Sequence, residues 1–146
     1  MDYKYSSGLK SKLSYLERNR KISYWSDSKI KPGERWLDEI DKAMNRSKIA
    51  VFLVSANFLN SDFCMDHEVP NMFRLAKEHG VLILWIAVTH IVYEETIFAT
   101  YQSILDPKNP LSKMRKERQE EAYTTVVRFL LRVLTDMENF SDRAIS

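Results

Sequence analysis

Residues 49–55 read IAVFLVS and residues 81–88 read VLILWIAV. Neither run alternates apolar with polar residues. A strand with one wet face alternates, so strands this uniformly apolar are covered on both faces, as in a parallel sheet flanked by helices. Eight residues also fall far short of the ~18 that suggest a membrane span. These two runs therefore fix the class, an α/β domain, before any motif is considered.

The rest of the chain fits around them. Leu9, Leu13 and Leu16 repeat at helical spacing and predict an amphipathic helix over 7–19. Residues 22–25 (ISYW) read as a short strand, and 26–33 (SDSKIKPG) as a loop. Trp36, Leu37, Ile40, Ala43 and Met44 give a second helix, with Glu34 as negative charge near its start. Between the apolar runs, residues 65–79 place Val69, Met72, Phe73 and Ala76 on one face, and Gly80 reads as a helix stop. Residues 89–105 are ambiguous between a helix and one short strand, and 106–110 (DPKNP) form a turn. The clearest helix spans 117–137, with an apolar stripe of Tyr123, Val126, Val127, Leu130, Leu134 and Met137.

At 146 residues the chain is expected to be one domain, 1–146, and 45% apolar residues suffice for a core. A net charge of +2 with both signs interspersed gives no concentrated basic face, so nucleic acid is not an expected partner. The single cysteine, Cys64, cannot form an internal disulfide or a multi-cysteine zinc site, which points to a reducing, cytoplasmic setting. The start MDYKYSSGLK has no apolar core of a secretory signal, and no membrane association is expected.

The common phosphate-cradling loops, G-x-G-x-x-G and G-x-x-x-x-G-K-[ST], are absent. His67-Glu68 lacks the second histidine of H-E-x-x-H because Asn71 holds that position, so no metal is expected. Cys64 with His67 one turn on has the spacing of a nucleophile and base, but free cysteine more commonly serves as a small buried residue. Trp25, Trp36 and Trp85 read first as core, and the basic run 113–118 as a solvated helix start. Glu68 resists such a plain reading. It follows a buried strand and lies near a helix N-terminus, where ligands bind in open α/β sheets. Simple complementarity to the helix dipole, worth ~0.3–1 kcal/mol, would account for its position equally well.

The stretch from residue 22 to 88 resembles a Toll/interleukin-1 receptor (TIR) domain of the bacterial type. Asp27-x-x-Ile30-x-Pro32-Gly33 is similar to the family's BB loop. Trp36, Ile40, Ala43 and Ser47 match the helix after it, residues 51–55 the third strand, and Ser61-x-Phe63-Cys64 with Glu68 the start of the next helix. The resemblance implies a flavodoxin-like parallel sheet wrapped by helices. In TIR domains that are enzymes, the glutamate matched by Glu68 is catalytic, and NAD+ is cleaved at the nicotinamide–ribose bond. NAD+ is then substrate, not cofactor, and the products are nicotinamide with linear or cyclic ADP-ribose. Trp25, Asp27, Lys29, Pro32, Gly33, Trp36, Phe63 and Cys64 would border the substrate. Such bacterial domains serve antiphage defence or virulence, and they commonly self-associate or bind other TIR domains. The alternative that the resemblance allows is a non-enzymatic TIR–TIR interaction module.

Two departures carry expectations. Enzymatic members often have tryptophan where this chain has Cys64, with Phe63 as the neighbouring aromatic. The family's opening strand, central in its sheet, is short or missing here, with residues 3–5 as the place for a stub. Its loss is expected to leave unpaired backbone groups on both neighbouring strands.

Overall fold

The computed structural model describes residues 3–19, 21–27, 29–30 and 36–145; of residues 3–6, 36, 63 and 141–145 it describes the backbone. In chain order come α1 (Tyr3–Asn19), β1 (Ile22–Trp25), α2 (Trp36–Arg46), β2 (Ile49–Val54), α3 (Ala56–Asn60), a π-helical segment (Phe63–Glu68), α4 (Val69–Glu78) and β3 (Leu82–Ala87). A 3-10 turn (Ile97–Thr100), β4 (Gln102–Ser103), a second 3-10 turn (Leu111–Lys113) and α5 (Lys116–Ile145) complete it.

The four strands form one parallel sheet in the order β1-β2-β3-β4. β2 and β3 are the two apolar runs, paired from Ile49 with Leu82 to Val54 with Ala87. Their alternate side chains feed two separate cores. Ala50, Phe52, Val54, Ile83, Trp85 and Ala87 face one side, with Ile40 and Met44 of α2, Phe58 of α3, and Val69, Met72 and Phe73 of α4. Ile49, Val51, Leu53, Leu84 and Ile86 face the other, with Leu9, Leu13 and Leu16 of α1 and Tyr123, Val126, Leu130 and Leu134 of α5.

The sequential strand order explains this division of labour. Parallel crossovers keep one hand, so successive steps in one direction across a sheet put all their helices on one face. α2 and α4 therefore share a face. The opposite face is covered by α1 and α5, which come before the first strand and after the last.

The expectation of a gap where the family's opening strand belongs is corrected. Residues 3–5 are helical, not a strand stub. β1 instead pairs directly with β2, Ile22 against Ile49 through Trp25 against Phe52. The two neighbours satisfy each other, and no unpaired edge is buried between them.

Residues 89–105 hold neither a long helix nor a long strand. They run from Val88 through loop to the 3-10 turn and the two-residue β4. The turn is capped by Thr96, whose Oγ accepts from the Phe98 N–H at 3.2 Å. It serves to drive Phe98, fully buried, between Phe52, Phe58, Phe73 and Trp85, with ring centroids 5.7–5.9 Å away. Gly80 ends α4 at φ 68°, the left-handed conformation that glycine adopts without penalty.

α1 and α5 approach closely at one glycine. A Cβ on Gly8 would stand 2.8 Å from Cε2 of the buried Tyr123 ring. Gly8→Leu is expected to cost about 1–3 kcal/mol by overpacking, read as a lower urea midpoint with unchanged m-value. Tyr123 supplies a second handle. Burial pushes its phenol above the ordinary value of 10.0, and the nearby Glu120 carboxylate adds to the shift. A group whose folded pKa is raised contributes stability that is fully present below its unfolded pKa and is lost as pH rises through the folded one. Stability should therefore fall above pH 10 more steeply in the parent than in Tyr123→Phe, measured by denaturant melts across that range.

Candidate functional site

The carboxyl ends of β1 and β2 lead into the segments that carry the site. Ser55 ends β2 and caps α3, its Oγ accepting from the Phe58 N–H at 3.0 Å. α3 was not foreseen from the sequence; a serine directly after an apolar run was its available signal. Ser61 then receives two donors from the next turn, the Cys64 N–H on Oγ at 3.2 Å and the Met65 N–H on its carbonyl at 2.9 Å.

Residues 63–68 then form a π-helical segment and not a plain helix start. The Val69 N–H bonds to the Cys64 carbonyl, five residues back. Pro70 supplies the physical reason. It occupies the first turn of α4, and in a continuous α-helix its ring would press on the carbonyl four residues earlier, that of Asp66. Widening the helix by one residue removes that clash and re-aims the side chains ahead of it. Such single π turns occur frequently at functional sites.

The side chain at the end of this segment is Glu68. It is 9% exposed, and its Oε2 is buried with no hydrogen-bond partner among the described residues. A buried acceptor left without a donor costs about 1–3 kcal/mol, more if charged. Complementarity to the helix dipole returns about 0.3–1 kcal/mol at exposed sites and up to about 2 kcal/mol in partly buried ones. The two ranges overlap, so this burial is compatible both with a place beside a helix N-terminus and with a carboxylate kept for a ligand.

Residues adjacent to Glu68 in the chain belong to one packed cluster. Cys64 within the segment and Val69 just after it share a buried cluster with Trp25 and Ile30, at the start of the 26–33 loop. Trp25 is itself 4% exposed, its indole N–H donating to Ser23 Oγ at 3.1 Å. Cys64 is buried while His67 is exposed, the burial of a small core residue.

Lys29 is held by several partners. Its Nζ pairs with Glu17 of α1 at 2.9 Å, donates to the Tyr24 carbonyl at 2.8 Å, and sits 3.8 Å from the Tyr24 ring centroid and 5.0 Å from that of Trp25. It ties the start of the loop to β1 and α1. Asp27, two residues earlier in the chain, is half-buried. Pro32 and Gly33 lie outside the described residues, as do the side chains of Trp36 and Phe63. Among the described residues no three His, Cys, Asp or Glu side chains gather into a group that could hold a metal, and no helix is long and apolar enough to cross a membrane.

The fold is a parallel α/β domain whose strands run in sequential order, with a buried carboxylate on the segment that follows β2 and α3. The sequence profile of the TIR domain matches residues 13–124, most of the chain, and the protein belongs to that family. It is 41% identical over 105 residues to the uncharacterized protein y4lF of Sinorhizobium fredii. That alignment covers 72% of this chain and 32% of the relative, so the chain spans about a third of the relative's length. No solved structure gives a significant match.

Proposed function

We propose that this TIR domain is a cytoplasmic NAD+ nucleosidase in which Glu68 is the catalytic carboxylate. The observation that carries the reading is the buried Glu68 Oε2 without a hydrogen-bond donor among the described residues. In a state that opens this atom to substrate, hydroxyl groups of a bound ribose would supply the missing donors.

The chemistry needs one carboxylate. The bond between ribose C1′ and the pyridinium nitrogen breaks, and its electron pair goes to that nitrogen. The ring's positive charge is cancelled, so nicotinamide leaves neutral and no general acid is required. Glycosidases that expel an oxygen leaving group use two carboxyl groups, one of them to protonate that oxygen. The cost here is the positive charge that builds on the ribose, and an ionised carboxylate positioned beforehand against it lowers the barrier. Water then adds to C1′ and releases a proton, giving ADP-ribose, or an internal nucleophile closes the cyclic product. Trp25, Asp27 and Lys29, with Pro32, Gly33, Trp36, Phe63 and Cys64, would border the pocket. Association with other TIR domains, common in the family, would complete it, in antiphage defence or virulence signalling.

A non-enzymatic TIR–TIR interaction module is the second reading. Cys64, where enzymatic members often carry tryptophan, favours it. Nicotinamide release from NAD+ by concentrated purified protein, beside Glu68→Ala, separates the two. Release abolished by the substitution supports the nucleosidase; a folded protein that releases nothing and still binds TIR partners supports the module.

A further inference from the structure

α5 outlasts the core that it helps to close. Its last buried side chain among the described residues is Leu134, and beyond it Phe140 stands 75% exposed. No other aromatic ring among the described residues is bared so far. Asp136, also exposed, lies one turn back on the same face, since residues i and i+4 are neighbours on a helix.

The outer surface of the domain carries a hollow of matching chemistry. Just past the close crossing of Gly8 and Tyr123, a groove of about 590 Å³ opens between α1 and α5. The buried Leu16 floors it, Tyr15, Val127 and Leu131 supply apolar walls, and the exposed Lys12 and Arg128 stand at its rims. One cation comes from each helix, and no carboxylate lines the groove. Neither cation has an ion-pair partner among the described residues. An apolar bed between two such cations suits a guest with an apolar anchor and a carboxylate beside it. Phe140 with Asp136 is such a group.

The chain cannot fill its own groove. From Leu131 to Phe140 is about 2.5 turns at 3.6 residues per turn, so the ring leaves α5 on the side away from the groove. From this juxtaposition we infer that the groove receives the end of α5 from a second copy, with Phe140 entering between α1 and α5 and Asp136 pairing with Lys12 and Arg128. Because ring and groove face opposite ways, a copy that gives its helix end to one neighbour offers its groove to another. Such a contact is heterologous: it propagates head to tail and does not close on a two-fold axis. A single aromatic anchor makes a small interface, so the association is weak and depends on concentration. No residue assigned to the Glu68 site takes part, and the inference stands apart from the chemistry there.

Sedimentation velocity on the full chain across a wide range of concentration tests it. The parent should grow past the dimer as concentration rises. Phe140→Ser and the double variant Lys12→Glu/Arg128→Glu, both shown folded by circular dichroism, should each raise the dissociation constant at least tenfold and stay monomeric. Mixed in equal amounts, these two should form a species of two chains and none larger, because one intact helix end and one intact groove remain between them. Asp136→Lys should be monomeric alone and regain growth when mixed with Lys12→Glu/Arg128→Glu, where the reversed charges meet. A parent that stays monomeric throughout, or that stops at a closed dimer, would overturn the proposal. So would Phe140→Ser that associates as the parent does, or monomeric variants that fail to combine.

Discussion

Glu68→Gln should reduce nicotinamide release from NAD+ by at least about 100-fold, the scale on which one preorganised charge-stabilising group acts, and at the same time make the protein more stable. The two effects share one cause. Oε2 of Glu68 is buried without a donor among the described residues, and an arrangement of that kind costs about 1–3 kcal/mol. The glutamine amide leaves a polar atom in the same place, so the relief is the additional part of the cost that a charge carries. For a chain of this length, 146 residues, each kcal/mol corresponds to roughly 2–4 °C in Tm. A carboxylate retained only for structure predicts the opposite pattern: lower Tm and no loss of a chemical activity. Turnover and thermal melts on the same two samples decide between them. Lower stability in the glutamine variant would remove the physical basis for assigning Glu68 to the site.

Phe98→Ala should cost about 3–5 kcal/mol, the range for deleting a large aromatic from a core. The ring is fully buried and meets four others, Phe52 of β2, Phe58 of α3, Phe73 of α4 and Trp85 of β3. Edge-on and tilted pairs of this kind add about 0.5–1.5 kcal/mol each beyond area burial. With total stabilities of about 5–15 kcal/mol, a substitution this large takes a substantial share of the folding free energy. Urea melts should show a much lower midpoint. A change under about 1 kcal/mol, the scale of an ordinary surface substitution, would mean that the segment carrying Phe98 is not part of the packed structure.

That segment also marks where the sequence stops being readable. β2, β3, α4 and α5 were legible because an unbroken apolar run and a 3.6-residue stripe each have one main structural meaning. Residues 89–105 carry neither signal. Their structure follows from a threonine cap and from one phenylalanine finding a hole between helices and sheet, and that hole is made by residues far away in the chain. α3 escaped notice for a related reason, since five residues are too few for periodicity. At the site, the position of Glu68 was legible and its burial was not. Burial depends on the π turn, which depends on Pro70 through a clash that exists only in three dimensions. The direct pairing of β1 with β2 was equally hidden, because one strand's outline says nothing about which neighbour it takes.

The placement of α1 and α5 has a consequence for how the chain comes off the ribosome. The face of the sheet carrying Ile49, Val51, Leu53, Leu84 and Ile86 is closed jointly by the first helix and the last. α1 can cover its share early, but Val126, Leu130 and Leu134 emerge only after every strand has been made. Until then this apolar face stays partly open, while the face under α2 and α4 can already be sealed. Nascent chains halted before α5 should therefore expose a sticky half-core and depend on chaperone cover. Completion of the last helix is the step that turns a one-sided sheet into a finished domain.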